Sequence, residues 1–173
     1  MLPETIHPFK YVSSAYDNAM QLLHKAGPDW VDIAVEGAKV LLPKQIAYDA
    51  IMTAHNGDPT GVEHHNHKGR YGFVLADASI PGKHRIQLFD QHGFISHETY
   101  DTLEEAVFEM ASQGYTQEEI GALSRLSKTA SWQKGMQVQG LMQQYNAGEI
   151  TYRELDVAIA AATSTKPEQT DVQ

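Results

Sequence analysis

Apolar positions recur at helical spacing early in the chain. Within SSAYDNAMQLLHKA, Ala15, Ala19, Leu22 and Leu23 fall on one face, and Gly27 with Pro28 stops the pattern, the first by left-handed geometry and the second by its missing N–H. The spacing predicts a helix over Ser13 to Ala26. Asp29 suits the N-cap of a short helix from Trp30 to Glu36, and Ala38 to Leu42 (AKVLL) is a short, largely apolar run that reads as a buried strand. Pro43 fits a first helical position, and Ile46, Ala47, Ala50 and Ile51 form the apolar stripe of a helix ending near Asn56 and Gly57.

The period is then lost. Asp58 to Gly69 (DPTGVEHHNHKG) is polar and turn-rich, and reads as a loop. Arg70 to Ala76 and His84 to Asp90 are rich in β-formers and flank a turn at Pro81 and Gly82; His92 and Gly93 turn the chain into a third strand, Phe94 to Thr99. In the second strand, alternation places Ile86 and Leu88 on one face and Arg85, Gln87 and Phe89 on the other. From Thr102 the period returns to that of a helix. Thr102 with Glu105, Thr116 with Glu119 and Thr151 with Glu154 match the capping box, in which a hydroxyl and a carboxylate satisfy free N–H groups at a helix start. Tyr115 with Ile120 and Ile150 with Leu155 are placed as hydrophobic staples for the second and third starts. The predicted class is α+β: an N-terminal region, residues 1–100, with a small three-stranded antiparallel β-meander flanked by helices, a C-terminal helical lobe, 101–162, and a disordered tail, 163–173.

Composition narrows the chemistry. A hydrophobic fraction of 42% and a charged fraction of 20% belong to a globular chain. No apolar run approaches the roughly 20 residues of a membrane span, and MLPETIHPFK lacks a secretory pattern, so no membrane association and a cytoplasmic location are expected. The absence of cysteine excludes disulfides, thiolate metal sites and cysteine nucleophiles. A formal charge of −9 excludes a surface that is basic all round.

The segment Gly114 to Gly135, GYTQEEIGALSRLSKTASWQKG, carries the functional expectation. Leu103, Ala106, Val107, Met110 and Ala111 mark the buried face of a first helix. A second helix is predicted over Thr116 to Leu123, with Ile120 and Leu123 facing inward. Ser124, Arg125 and Leu126 make the turn and Ser127 caps a third helix in which Ala130 and Met136 face inward. Such a helix-turn-helix leaves its last helix free to enter a major groove. TQEEIGALSRLSKTAS and the preceding LEEAVFEMASQGY resemble the helix-turn-helix of plasmid-partition ParB-type proteins and related plasmid regulators over about residues 102–140. The resemblance implies DNA binding, with Gln117, Ser127, Lys128, Thr129, Ser131, Gln133 and Lys134 at the matching contact positions; Arg125 departs from the family, which usually has glycine there, and is a candidate contact by its charge. It does not extend to CTP binding, because HNHKGRYGF does not supply the arginine-rich nucleotide box of that family.

Charge pulls the other way. Between Asp101 and Gly135, Asp101, Glu104, Glu105, Glu109, Glu118 and Glu119 outnumber Arg125, Lys128 and Lys134, so DNA binding calls for a homodimer or for basic residues elsewhere, such as Lys68, Arg70, Lys83 and Arg85. The opposing expectation is a non-enzymatic protein-binding inhibitor of a conjugation (fertility inhibition) or host-defence complex that docks through the helical lobe, with Trp132 as its anchor. Elsewhere, His64, His65 and His67 beside Glu63 and Asp58 are the nearest approach to a metal-ligand set; their spacing is not that of a metal motif, so a solvated loop and no metal or other cofactor are expected. Asp90, His92, His97 and Glu98 offer a His–carboxylate pairing, but no nucleophile elbow or phosphate-cradling glycine loop accompanies them, and no enzymatic activity is expected.

Overall fold

The computed structural model describes residues 28–164, with side chains from residue 40 onward. The helix expected over Ser13 to Ala26 and residues 165–173 of the expected tail lie outside the described residues, whereas Thr163 and Ser164, placed in that tail, are the last residues of a helix. The first described element, α1 (Pro28–Ala54), is one continuous helix that runs through Pro43. This corrects the order of short helix, strand and helix. AKVLL has no period of its own, and a bare apolar run fits either geometry. Val40 is 57% exposed and Leu42 is exposed as well, so the run is not a buried strand. The face that is buried is Tyr48, Ile51 and Met52, at i, i+3 and i+4, whereas Ile46 and Ala50 of the expected stripe are exposed. Asn56 and Gly57 adopt positive φ, and the Gly57 N–H donates to the Met52 carbonyl at 2.8 Å, closing the helix.

Five strands form one antiparallel sheet: β1 (His64–His65), β2 (Tyr71–Ala76), β3 (His84–Asp90), β4 (Gly93–Tyr100) and β5 (Gln117–Glu118), in the order β4-β3-β2-β1-β5. The meander of β2, β3 and β4 is the one expected from alternation. The two-residue strands β1 and β5 are not. Asp77 sets the turn between β2 and β3: its Oδ1 accepts the backbone N–H groups of Ser79 at 2.8 Å and Ile80 at 3.1 Å, and its Oδ2 accepts the Thr99 hydroxyl at 2.8 Å. An ion pair of Lys83 with Asp101 lies at the end of the same turn.

Helices follow as α2 (Leu103–Ser112), α3 (Ala122–Leu126), α4 (Ala130–Asn146) and α5 (Tyr152–Ser164). The capping box at Thr102 forms, with the Glu105 N–H donating to Thr102 Oγ1 at 3.1 Å and the Glu105 carboxylate reaching back to the Asp101 N–H. The box at Thr151 forms too, the Glu154 carboxylate accepting the Thr151 N–H at 2.8 Å. The fold is therefore α+β, and it divides into two compact units. One comprises the described residues up to 87 together with 97–120; the other comprises 88–96 and the described residues from 121 on. In the first, α2 packs its face of Ala106, Val107, Met110 and Ala111 inward, and Phe108 meets Tyr48 edge to face at 6.2 Å. The helix α2 thus belongs with the sheet and α1, whereas the chain pattern places it in the helical lobe. Burial, with Glu104 and Asp49 nearby, raises the Tyr48 phenol and keeps it protonated.

The hydrogen bonds from Thr99 and then from the Ser79 and Ile80 backbone hold the Asp77 carboxyl below its ordinary value of 3.8. A depressed carboxyl contributes stability that is present above the unfolded value and is lost as the pH falls through the folded one. Asp77→Asn is therefore expected to lower the urea midpoint at neutral pH and to converge on the wild type as the pH falls below the ordinary carboxyl value and through the folded one; a gap that stays constant as the pH falls would mean that the charge of Asp77 contributes nothing.

Candidate nucleic-acid interface

The segment Thr116 to Leu123 does not form the expected second helix. Gln117 and Glu118 pair with His65 and His64 as β5, and the Glu119 N–H donates to the Glu63 carbonyl at 2.9 Å. Backbone groups that a capping box would satisfy are thus taken by a strand. The Glu119 carboxylate accepts from the Tyr71 hydroxyl at 3.2 Å, and Ile120, placed as a staple partner of Tyr115, is 77% exposed. Gly121 at φ 85° ends this course, and only Ala122 to Leu126 is helical before the turn. What survives of the motif is a one-turn helix α3, the turn Ser127–Lys128–Thr129, and a long α4.

Thr129, and not Ser127, caps α4: its Oγ1 accepts the Trp132 N–H at 3.2 Å. Trp132 is 5% exposed, with Phe94 at 5.3 Å and Phe89 at 6.1 Å, both edge to face. It is a core residue of the second unit and not a surface anchor, which corrects the docking role given to it. Gly135 lets the chain at His92 approach α4; a Cβ there would lie 1.7 Å from the His92 carbonyl oxygen. Gln139 Nε2 donates to the Phe94 carbonyl at 3.2 Å, a further tie to the same segment. Ala130, expected to face inward, is exposed.

The residues at the expected DNA-contact positions fall into three groups. Gln117 belongs to the first unit, in β5. Ser127, Thr129, Ser131 and Lys134 spend polar atoms locally: Ser127 Oγ donates to Ser124 O, Thr129 Oγ1 donates to Leu126 O, Ser131 Oγ lies 2.9 Å from His92 Nδ1, and Lys134 Nζ donates to Thr163 O at 2.5 Å. Arg125, Lys128 and Gln133 are exposed, although Gln133 also donates to Ser127 O at 2.8 Å.

The Ser131–His92 contact is not a nucleophile and its base. Gln91 Nε2, an amide donor, lies 3.1 Å from His92 Nε2, so that nitrogen accepts and Nδ1 carries the proton directed at Ser131 Oγ. A base that donates to the hydroxyl does not deprotonate it. Asp90 accepts the His92 backbone N–H and not the ring, and Glu98 is occupied by Tyr100 and Gln113. Of the histidines at 64, 65 and 67, His67 is exposed, His65 packs on Tyr71 at 5.8 Å, and His64 is buried beside His55 and Glu118, so the three form no common site.

The acidic and basic residues between Asp101 and Gly135 fall in different units, although the second unit also holds Asp90, Glu149, Glu154 and Asp156. All six carboxylates between Asp101 and Gly135 lie in the first unit, whereas residues 121–148 hold Arg125, Lys128 and Lys134 and no Asp or Glu. No protein-family model, curated protein or solved structure matches the chain. Among the described residues no helix is long and apolar enough to cross a membrane.

The aromatic cluster sets an expectation for the second unit. Trp132→Ala is expected to destabilise it by about 3–5 kcal/mol, and Trp132→Phe by much less, as read from urea unfolding. Equal stability of Trp132→Ala and the wild type would place Trp132 outside the core.

Proposed function

We propose that the second unit binds DNA, as a regulator or maintenance factor of a plasmid or related mobile element, with α4 as the groove-facing helix. The observation that carries this reading is the carboxylate-free stretch 121–148, three cations in a chain whose formal charge is −9. Arg125 near the end of α3 and Lys128 within the turn that leads into α4 are exposed, where they suit phosphate contact. Gln133 and Gln137 are exposed along α4, and an amide offers a donor and an acceptor in the arrangement that adenine presents in the major groove. The 17 residues of α4 span about 25 Å, enough to cross a groove.

Two or three phosphate contacts make a weak binder. At a slope of about −0.9 per phosphate, one chain predicts a salt dependence of roughly −2 to −3, and a homodimer doubles it. Fluorescence anisotropy on a generic duplex is expected to show that slope, with Lys128→Ala lowering affinity alike on unrelated sequences and reducing the slope by about 0.9 per chain. Absence of binding even at low salt, or an unchanged slope in Lys128→Ala, overturns the reading.

A protein-binding inhibitor of a conjugation or defence complex is supported by other residues than Trp132. Met142, Tyr145, Tyr152 and Val157 are exposed apolar side chains on α4 and α5, and Tyr145 and Tyr152 meet edge to face at 6.3 Å. Loss of a copurifying partner in Tyr152→Ala, with DNA binding absent from the wild type, would decide for it.

A further inference from the structure

The first unit gathers three metal-ligating side chains from distant parts of the chain. The antiparallel register of β1 on β5 sets His64 directly opposite Glu118, which places both side chains on one face of the sheet. His55 reaches the same place from the C-terminal end of α1. Its Nε2 lies 3.0 Å from Glu118 Oε2, and its ring meets that of His64 edge to face with centroids 6.2 Å apart. One ligand atom from each of the three residues lies within 4.8 Å of the others.

We propose that His55, His64 and Glu118 form a binding site for a divalent transition-metal ion of the zinc class. Two imidazoles with one carboxylate suit zinc, cobalt or nickel, and fall short of the oxygen cage that calcium or magnesium takes. Tetrahedral bonds of about 2.0–2.1 Å set ligand atoms about 3.3 Å apart. The His55–Glu118 separation already matches that edge. Closing the widest pair takes about 1.5 Å of movement, which Glu118, with its side chain 40% exposed, has room to make.

His64 is prepared as a ligand. Its Nδ1 lies 3.1 Å from the Val62 carbonyl, an acceptor only, so Nδ1 carries the proton and Nε2 holds the free lone pair. A backbone carbonyl behind a metal-binding imidazole fixes its tautomer and its orientation. The residue is 2% exposed, so the ring is held in place by its surroundings. At His55, the carbonyl end of α1 contributes partial negative charge that favours a cation. The partial exposure of His55 and Glu118 leaves a coordination position open to water. His65 takes no part, since alternation sends it to the other face of β1, where its ring packs on Tyr71.

The site ties together the shortest parts of the fold: two strands of two residues each and the end of a helix. Bound metal is therefore expected to stabilise the first unit, by mass action on the folded state. It is independent of the DNA reading, which concerns other residues.

The full-length protein, stripped with a chelator and dialysed, is titrated with Co2+ and with Zn2+, reading the visible absorption of cobalt, calorimetric stoichiometry and the shift in melting temperature. One saturable site per chain is expected, with a raised melting temperature. His55→Gln and Glu118→Gln, both at partly exposed positions, should each weaken binding by more than the roughly 10–100-fold that loss of an orienting partner costs, while His65→Gln and His67→Gln leave it unchanged. His64→Gln tests the third ligand if it folds. No saturable binding by the wild type overturns the proposal, as does binding that survives in His55→Gln and Glu118→Gln or that is lost in His65→Gln with His67→Gln.

Discussion

The pairing of His64–His65 with Gln117–Glu118 is the constraint on which most else depends. It is made of very few residues, yet it decides the course of the chain from Thr116 to Gly121. Once the N–H groups of this segment are satisfied by β1, the helix written into its side-chain pattern has nothing left to gain from its first turn. The left-handed Gly121 then lets the chain leave the sheet and begin α3 without strain. The same pairing brings Glu118 across from His64. A two-strand ladder thereby removes half of a helix-turn-helix and creates a polar cluster in one step.

In the second unit the organising contact is aromatic. Trp132 sits with Phe89 and Phe94, and the chain at His92 lies so near α4 that only glycine fits at position 135. Packing of this kind fixes the rotation of α4 about its axis. It turns Trp132 inward and leaves Gln133 and Gln137 outward. The polar character of α4 is thus a property of the face that remains after the aromatic cluster has taken its side.

Electrostatics acquires meaning only at this level. Counted along the chain, the region from Asp101 to Gly135 is acidic and argues against phosphate binding. Sorted by element, the acidic residues of that region go with α2 and β5, and α3, the turn and α4 hold cations alone, although the same unit carries Asp90, Glu149, Glu154 and Asp156 outside them. Attraction to phosphate falls off over about 8 Å at physiological salt, so which charges share a surface matters more than which share a stretch of sequence.

Residue pattern by itself determined the meander of β2, β3 and β4, the start of α2 at Thr102 and the capping box at Thr151, because each of these is set by neighbours within a few positions. It also singled out the histidines at 64 to 67, though not their partners. Tertiary structure alone decided that AKVLL is helical, that Gln117 and Glu118 are a strand, that Trp132 is buried, and that His64 meets His55 and Glu118 and not His65 and His67. The reason is common to all four. An apolar run without a period, a two-residue strand and a cross-strand pair carry almost no local preference, so the contacts that settle them come from residues far away in the chain.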